Sequence, residues 1–156
     1  MDRADMEIRR YRPTDLTAVL GIAPRLTEGV AAWHEPQRVL DAVTGWVGAY
    51  PETAARDSVA VFLPEDAGAV IGLIGVSERR HFTGETEGYV GELVVSSTSA
   101  RQGVGRALMG AAEDSARQRG HGRVTLDTGW DNATAREFYA ALGYEAEGVR
   151  LSKPVH

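Results

Sequence analysis

The chain has 156 residues, of which 43% are hydrophobic and 25% charged, the proportions of an ordinary globular domain. It contains no cysteine, which excludes thiol nucleophiles, cysteine-ligated zinc, iron–sulfur clusters and disulfides. With a formal net charge of −5 it offers no dense basic face for nucleic acid, and no apolar run is long enough to cross a membrane. We therefore expect one cytoplasmic domain over residues 1–156, without nucleic-acid or membrane partners.

The N-terminal third of the chain predicts one strand and two helices. The strand covers residues 6–11, and Pro13 and Thr14 then provide a turn and the N-cap of a first helix. A second helix follows Pro36 and ends at Pro51, because proline cannot continue a helix. Its apolar residues recur at helical spacing and form one stripe, which consists of Val39, Val43, Trp46 and Tyr50.

The rest of the chain predicts three adjacent strands and then alternating helices and strands. Apolar runs at 58–63 and 69–76 are separated by the turn-rich segment PEDAG, which predicts a hairpin, and a third strand follows at 89–95. A helix over 104–119 is stopped by Gly120. The remaining elements are a strand at 123–128, a helix at 133–142 and a closing strand at 144–151. The order β-α-α-β-β-β-α-β-α-β is that of an α/β domain.

A short polar loop between a strand and a helix carries the clearest chemical signal. Gly103 and Gly105 stand at the helix start, where free backbone N–H groups and the positive end of the helix dipole attract an anion. Arg101 and Arg106 add positive charge beside them. A phosphate loop of nucleoside triphosphatases would need Gly-Lys-Ser/Thr, which is absent, and a dinucleotide fingerprint would need a third glycine where Leu108 stands.

Two motifs in this half of the chain resemble those of the GCN5-related N-acetyltransferase (GNAT) family. The family's pyrophosphate signature, Gln/Arg-x-x-Gly-x-Gly/Ala, corresponds to residues 100–105, and the strand Leu93-Val94-Val95 precedes it at the usual distance. The second motif is the segment DNATAREFYAALGYE, which includes Asn132 and Tyr139. The resemblance implies an α/β fold with a mixed, twisted central sheet flanked by helices.

The resemblance also implies acetyl-CoA as co-substrate. Its pyrophosphate is expected on the backbone of the loop, and its pantetheine arm beside the preceding strand, where the sheet must splay to admit it. Ala100 stands where the family usually has Gln or Arg, so one side-chain contact is expected to be lost or shifted. The implied cofactor-binding residues are Leu93, Val94, Val95, Ala100, Arg101, Gln102, Gly103, Val104, Gly105, Arg106, Asn132 and Tyr139.

The implied chemistry gives hypotheses for three groups. The backbone N–H of Val94 is the candidate oxyanion donor, and Tyr139, two helical turns after Asn132, is the candidate general acid for the departing thiolate. Glu92, ahead of the pantetheine strand, is the candidate base for the amine proton. The structural alternatives are a core aromatic for Tyr139, a surface or ion-paired glutamate for Glu92, and an N-cap for Asn132.

These residues predict an N-acetyltransferase that transfers the acetyl group of acetyl-CoA directly to a primary amine of a small molecule or peptide. Two alternatives stay open: a non-catalytic acetyl-CoA-binding module, for which Ala100 is the hint, and a protein N-terminal or lysine acetyltransferase. An acidic pocket built from Glu28, Glu85 and Glu87 would favour polycations. The four histidines lack metal-ligand spacing, so no metal site is expected, and the apolar C-terminal tail leaves room for a homodimer.

Overall fold

The computed structural model describes residues 6–156, which form one open sheet with helices on both faces. The strands are β1 (Met6–Arg10), β2 (Val59–Asp66), β3 (Ala69–Val70), β4 (Gly72–Arg80), β5 (Thr86–Val95) and β6 (Val124–Leu126). The helices are α1 (Leu16–Ile22), α2 (Pro36–Gly48), α3 (Tyr50–Thr53), α4 (Val104–Gln118) and α5 (Ala133–Ala141). Within these residues, none of the helices combines the length and the apolar character that crossing a membrane requires.

The sheet is mixed, as the fold class predicted. Its strand order is β1-β2-β4-β5-β6, with the short β3 beside β2. The pairs β1–β2, β2–β4 and β4–β5 are antiparallel, whereas β5 and β6 run parallel. The crossover from β5 to β6 contains α4, which packs on the sheet as a parallel connection requires.

The core is divided between the two faces of the sheet. Leu73 and Ile74 are neighbours on β4 with 0% exposure, and they point to opposite faces because side chains alternate along a strand. Leu73 belongs to the cluster under α1, α2 and α3, whereas Ile74 belongs to the cluster under α4. We refer to these two sides as the α2 face and the α4 face.

Strands β5 and β6 separate after a short parallel pairing. Only three residue pairs join them, from Gly88 with Val124 to Val90 with Leu126. On its other edge, β5 stays paired with β4 as far as Val95. The edge of β5 beyond Val90 therefore borders an opening in the sheet, which agrees with the splaying expected from the sequence.

The predicted second helix differs from the structure in two ways. Pro51 does not end it, since α2 ends at Gly48 and Pro51 lies in the first turn of the separate helix α3, where proline is tolerated. Trp46 is 58% exposed, and Val47 takes the core position instead. The apolar stripe that faces the core consists of Val39, Val43 and Val47, which are spaced four residues apart. Val47 follows Val43 by one helical turn, so it faces the core in place of Trp46.

The predicted hairpin between β2 and β4 is present with a shorter turn. Residues 64–66 of the PEDAG segment continue β2, and the chain reverses at Ala67 and Gly68, which both have positive φ angles, 49° and 81°. Two such residues give the tight turn whose twist fits antiparallel strands. The short strand β3 and the following Ile71 then lead into β4.

The predicted closing strand at 144–151 is wrong. These residues form no strand in the part of the chain that the structure describes, and Val149 and Leu151 are 69% and 88% exposed. Alternating apolar residues make a strand only when a neighbouring strand satisfies the backbone, and no ladder is formed here. An exposed ion pair between Arg123 and Glu147, with an N–O distance of 3.4 Å, joins the tail to the start of β6.

Candidate active site

The loop after β5 turns sharply into helix α4. Arg101 has a φ of 61° and Gly103, the N-cap residue of α4, has a φ of 79°, so both lie in the left-handed region. No side chain caps the helix, and its first turn contains no acidic residue. The N–H groups of the first turn therefore point out of the helix end without a capping partner, next to an electropositive surface.

The two glycines of this loop serve different purposes. A Cβ at Gly103 would meet nothing within 4 Å, so this glycine provides the backbone angle and leaves space in front of the helix end. A Cβ at Gly105 would lie 3.2 Å from Cζ of Phe138, so this glycine lets α4 and α5 approach closely. The expectation of close ligand approach at both positions therefore fits Gly103 better than Gly105.

The side chains of the loop are mostly directed to solvent. Ala100, Arg101, Gln102 and Arg106 are exposed, and Nε2 of Gln102 lies 3.5 Å from the carbonyl oxygen of Thr98. Val104 is 1% exposed and packs in the core of the α4 face, so only its backbone can reach a ligand. The loop thus combines two solvent-exposed cations, Arg101 and Arg106, with a fixed set of N–H groups.

A bulge in β5 decides which backbone groups face the opening. Gly75 of β4 pairs with Glu92, whereas the next residue, Val76, pairs with Val90, so Gly91 is the extra residue. Before the bulge, Gly88 N–H donates to Arg123 on the β6 side, at 3.0 Å. After it, Ser96 N–H donates to Ile71 on the β4 side, at 2.8 Å. The bulge therefore changes which residues point to each side.

This register assigns the backbone groups of the strand that borders the opening. By the alternation of an antiparallel ladder, Val94 bonds to Leu73 as Ser96 bonds to Ile71. The backbone groups of Leu93 and Val95 then point away from β4, into the opening. The structure thus differs from the expectation for Val94, whose N–H faces the neighbouring strand.

Helix α5 brings Asn132 and Tyr139 to the α4 face of the opening. Asn132 is the N-cap, and its Oδ1 accepts from Ala135 N–H at 3.1 Å, which is one of its two predicted roles. Tyr139 is half-buried and packs edge-on against Phe138 and Tyr144, with ring centroids 5.1 and 5.9 Å away. Burial raises the pKa of its phenol, so Tyr139 is protonated at neutral pH.

Asn132 also contacts a loop from the other face of the sheet. A Cβ at Gly29, which follows the first helices, would lie 2.2 Å from Nδ2 of Asn132. A Cβ at Gly129 would likewise lie 2.3 Å from the carbonyl oxygen of Gly29. These two glycines allow the loop after α1 to cross the loop after β6 in direct contact.

Glu92 lies on the α2 face, where its carboxylate is partly buried. Its Oε2 occupies the space above Gly75, where a Cβ would be only 2.2 Å away. Burial raises the pKa of the carboxyl, and the neighbouring Tyr50 hydroxyl opposes the rise. The structure thus places Glu92 in a pocket of the sheet with a tyrosine neighbour, which differs from the ion-paired surface alternative.

Three residues that form a cluster around Tyr89 were not predicted from the sequence. The hydroxyl of Tyr89 donates to Asp127 Oδ2 at 2.8 Å, and the guanidinium of Arg79 stacks over the Tyr89 ring at 4.6 Å. Burial and the bond to Asp127 raise the pKa of Tyr89 to about 12. Asp127 itself is exposed. It follows β6 directly, a position at a strand end where no spacing pattern marks it.

The acidic pocket expected from Glu28, Glu85 and Glu87 is not assembled. Glu28 pairs with Arg25 at 3.6 Å, and Glu85 accepts from Thr83 in the β4–β5 turn at 2.9 Å. Glu87 accepts from Thr125 on β6 at 3.1 Å. In residues 6–156, no group of three or more histidine, aspartate or glutamate side chains could hold a metal ion.

Comparisons with known proteins place this geometry in a wider group. The sequence model described as the acetyltransferase (GNAT) family matches residues 25–144. No curated protein has a sequence that matches the chain. Among solved structures, the enzyme AAC(6')-Iy in complex with the bisubstrate analogue CoA-S-monomethyl-acetylneamine has a TM-score of 0.74 at 21% identity, with 97% of this chain and 99% of that chain covered.

Two further solved structures share the fold at lower identity. Glucosamine-6-phosphate N-acetyltransferase from Arabidopsis thaliana has a TM-score of 0.67 at 18% identity, with 97% and 99% of the two chains covered. Ribosomal-protein-alanine N-acetyltransferase from Brucella melitensis has a TM-score of 0.72 at 12% identity and the same coverage. The names of these two proteins indicate different acceptors, a sugar phosphate and a ribosomal protein. The shared fold therefore does not identify an acceptor.

Proposed function

The chain belongs to the acetyltransferase (GNAT) family, and from this premise we propose that it transfers the acetyl group of acetyl-CoA directly to a primary amine of a small molecule or peptide. One observation carries the proposal. The opening between β5 and β6 leads from the free edge of Leu93 and Val95 to the uncapped start of α4. A free strand edge and a candidate anion site thus follow one another along one continuous segment, residues 93–106.

The residues on this segment fit acetyl-CoA. The N–H groups from Gly103 to Arg106 would hold the pyrophosphate, because the helix start is electropositive and its first turn has no competing carboxylate. Arg101 and Arg106 would add charge from solvent-facing positions. The backbone of Leu93 and Val95 would pair with the amide groups of the pantetheine arm as an added strand does.

Acetyl-CoA supplies an activated thioester when bound, and the chain's own groups handle charge and protons. The Leu93 N–H faces the opening and would donate to the acetyl carbonyl oxygen as negative charge grows there, a role that the Val94 N–H cannot fill from its place in the ladder. Tyr139, protonated at neutral pH, would give its proton to the departing thiolate. Asn132 would support this side as the N-cap of α5.

Glu92 would take the proton of the attacking amine. Its carboxylate lies beside Tyr50 on the α2 face, whereas Tyr139 packs on the α4 face, so the two groups stand on opposite sides of the sheet. Base and acid would then act on different reactants without competing for one proton.

The test measures CoA thiol release from acetyl-CoA with polyamines, aminoglycosides, amino acids and N-terminal peptides. We expect release that depends on an amine, and about a 100-fold loss of turnover in Tyr139→Phe at unchanged acetyl-CoA affinity, since general acid catalysis contributes about 10²- to 10⁴-fold. The matched control is Tyr144→Phe, which removes a nearby hydroxyl bonded to Glu113 at 3.0 Å.

Either of two results would count against the proposal. Acetyl-CoA binding without thiol release across the whole panel would favour the non-catalytic binding module. Equal turnover in the Tyr139→Phe and Tyr144→Phe proteins would remove Tyr139 from the mechanism.

A further inference from the structure

Tyr50 is a buried hydroxyl-bearing residue that the proposed mechanism does not use. It begins α3, is 4% exposed and packs in the core of the α2 face. Its ring stands edge-on to that of Tyr11, with centroids 5.7 Å apart. The hydroxyl oxygen is fully buried and has no hydrogen bond of regular geometry among the described residues. A buried hydroxyl without a well-formed bond is costly, so its position calls for a reason.

The hydroxyl lies beside the Glu92 carboxylate, above a glycine. A Cβ at Gly75 would be 2.2 Å from Glu92 Oε2 and 3.4 Å from the Tyr50 hydroxyl oxygen. The absent side chain of Gly75 therefore creates the space in which both polar groups meet. Any larger residue at this position of β4 would displace the carboxylate.

The groups around Glu92 come from four elements. Tyr50 approaches from α3, with Tyr11 behind it, and Tyr89 lies on the same strand as Glu92. Arg79 of β4 stacks on Tyr89, and Asp127 accepts from Tyr89 at the end of β6. Of these, the Tyr50 hydroxyl is the group that meets the carboxylate inside the sheet.

We propose that Tyr50 is a positioning residue for Glu92: its hydroxyl donates to the carboxylate and holds it, ionised, at the opening where the acceptor amine arrives. The inference rests on the proposed function, in which Glu92 takes the amine proton. The donated hydrogen bond stabilises the charged form against the effect of burial, so the base works at a lower pH than burial alone would allow. Tyr11 supports the Tyr50 ring without reaching the carboxylate.

The test compares pH profiles of kcat/KM for the wild type, Tyr50→Phe and Tyr11→Phe, with Glu92→Gln to identify the limb that belongs to Glu92. Removing the donor raises the pKa of Glu92, so the limb on which activity rises with pH moves upward. A shift of about 0.5 to 1 pH unit is expected for one hydrogen bond. Tyr11→Phe also removes a buried hydroxyl without a regular partner and leaves the limb in place.

Two further readouts separate positioning from structural damage. Activity of the Tyr50→Phe protein returns to near the wild-type level above the shifted limb, which a misfolded protein could not do. Gly75→Ala pushes the carboxylate away from the Tyr50 hydroxyl and also moves the limb, so the inference can be tested even where Tyr50→Phe does not fold. Combining Tyr50→Phe with Gly75→Ala adds less than the sum of the two shifts.

The outcomes distinguish the two proposals. If Glu92→Gln leaves the pH profile unaltered, Glu92 is not the base and the proposed function loses that step. If Glu92→Gln removes the limb but neither Tyr50→Phe nor Gly75→Ala moves it, the base stands and the role of Tyr50 is overturned. An equal shift in Tyr11→Phe would also overturn it, because the effect would then come from general loosening of the core.

Discussion

The two sides of the opening are built by different means. On the cofactor side, one unbroken segment from Leu93 to Arg106 provides the strand edge, the loop and the helix start. Most of the groups that we propose to bind acetyl-CoA are backbone N–H and C=O groups, and the left-handed angles at Arg101 and Gly103 fix those of the loop. On the proposed acceptor side, Tyr50, Gly75 and Glu92 come from three separate elements and meet in space.

This difference shows why the loop can be predicted from the sequence, whereas the groups that surround Glu92 cannot. A local segment leaves a local pattern, since the same few residues set both the geometry and the spacing. A cluster of distant side chains leaves no pattern, since any strand could carry its glutamate or glycine. The following changes test whether the two sides are independent, beginning with the largest effect.

Among these changes, Asp15→Asn should cause the largest loss of stability. Asp15 is 8% exposed, accepts from both terminal nitrogens of Arg9 at 2.8 Å, and accepts from Arg12 N–H at 2.7 Å. The substitution breaks a buried ion pair and is expected to lower the free energy of unfolding by about 2 to 3 kcal/mol. Denaturant unfolding measures this loss, while titration should show unchanged acetyl-CoA affinity. A large affinity loss would break the independence of the two sides.

The same ion pair predicts a pH dependence of stability. The Arg9 hydrogen bonds hold the pKa of Asp15 below its usual value. Because the folded pKa is depressed, this stabilisation is present above the unfolded pKa of about 3.9 and is lost as pH falls through the folded pKa. The wild type should therefore lose more stability than Asp15→Asn as the pH falls from 5 through the folded pKa of Asp15. Parallel curves would contradict this assignment.

Gly103→Ala, on the proposed cofactor side, should have an effect of intermediate size on stability. The φ of 79° costs a residue with a Cβ about 1 to 2 kcal/mol, and no atom lies within 4 Å to add a steric clash. We expect lower stability and weaker acetyl-CoA binding, measured by thermal unfolding and calorimetric titration. Gly110→Ala is the matched control, because Gly110 lies inside α4 in open space and alanine should stabilise it by about 0.5 to 1 kcal/mol. Destabilisation of similar size in both variants would show that helix α4 is sensitive to any added side chain, and that the left-handed angle of Gly103 is not the cause.

Arg101→Gly should have the smallest effect and opposite signs in two assays. Glycine relieves the left-handed angle of Arg101, which after its entropy cost is expected to raise stability by about 0.5 kcal/mol. Loss of the charge should weaken acetyl-CoA binding about threefold at low salt and less at high salt. Ala67→Gly relieves a similar angle of 49° in the hairpin turn and should leave binding unchanged. Tighter binding in Arg101→Gly would show that the loop geometry outweighs the charge.

Much of the fold could be predicted from hydrophobic periodicity. The strand at 89–95, helix α4 and helix α5 lie where the pattern placed them, within a few residues. The errors fall where a local pattern was compatible with two outcomes. Trp46 and Val47 both fit a helical stripe, and the tail alternates like a strand but has no partner.

The candidate site divides in the same way. The loop, Asn132 and Tyr139 stand where the motifs predicted, although the roles of the motif residues stay predictions. The Val94 assignment failed because a single bulge at Gly91 changes which backbone groups face β6. Nothing in the spacing of Gly91 announces a bulge, since glycine also occurs in regular strands.

By itself the sequence determined most of the element types and the candidate anion-binding loop, because both depend on the conformational preferences of neighbouring residues. Only the tertiary structure decided the backbone register at the opening, the meeting of Tyr50 with Glu92 above Gly75, and the contact of Tyr89 with Asp127. These features depend on which strand edges and side chains become neighbours in space. That choice is made by burial of the whole core, so no short stretch of chain encodes it.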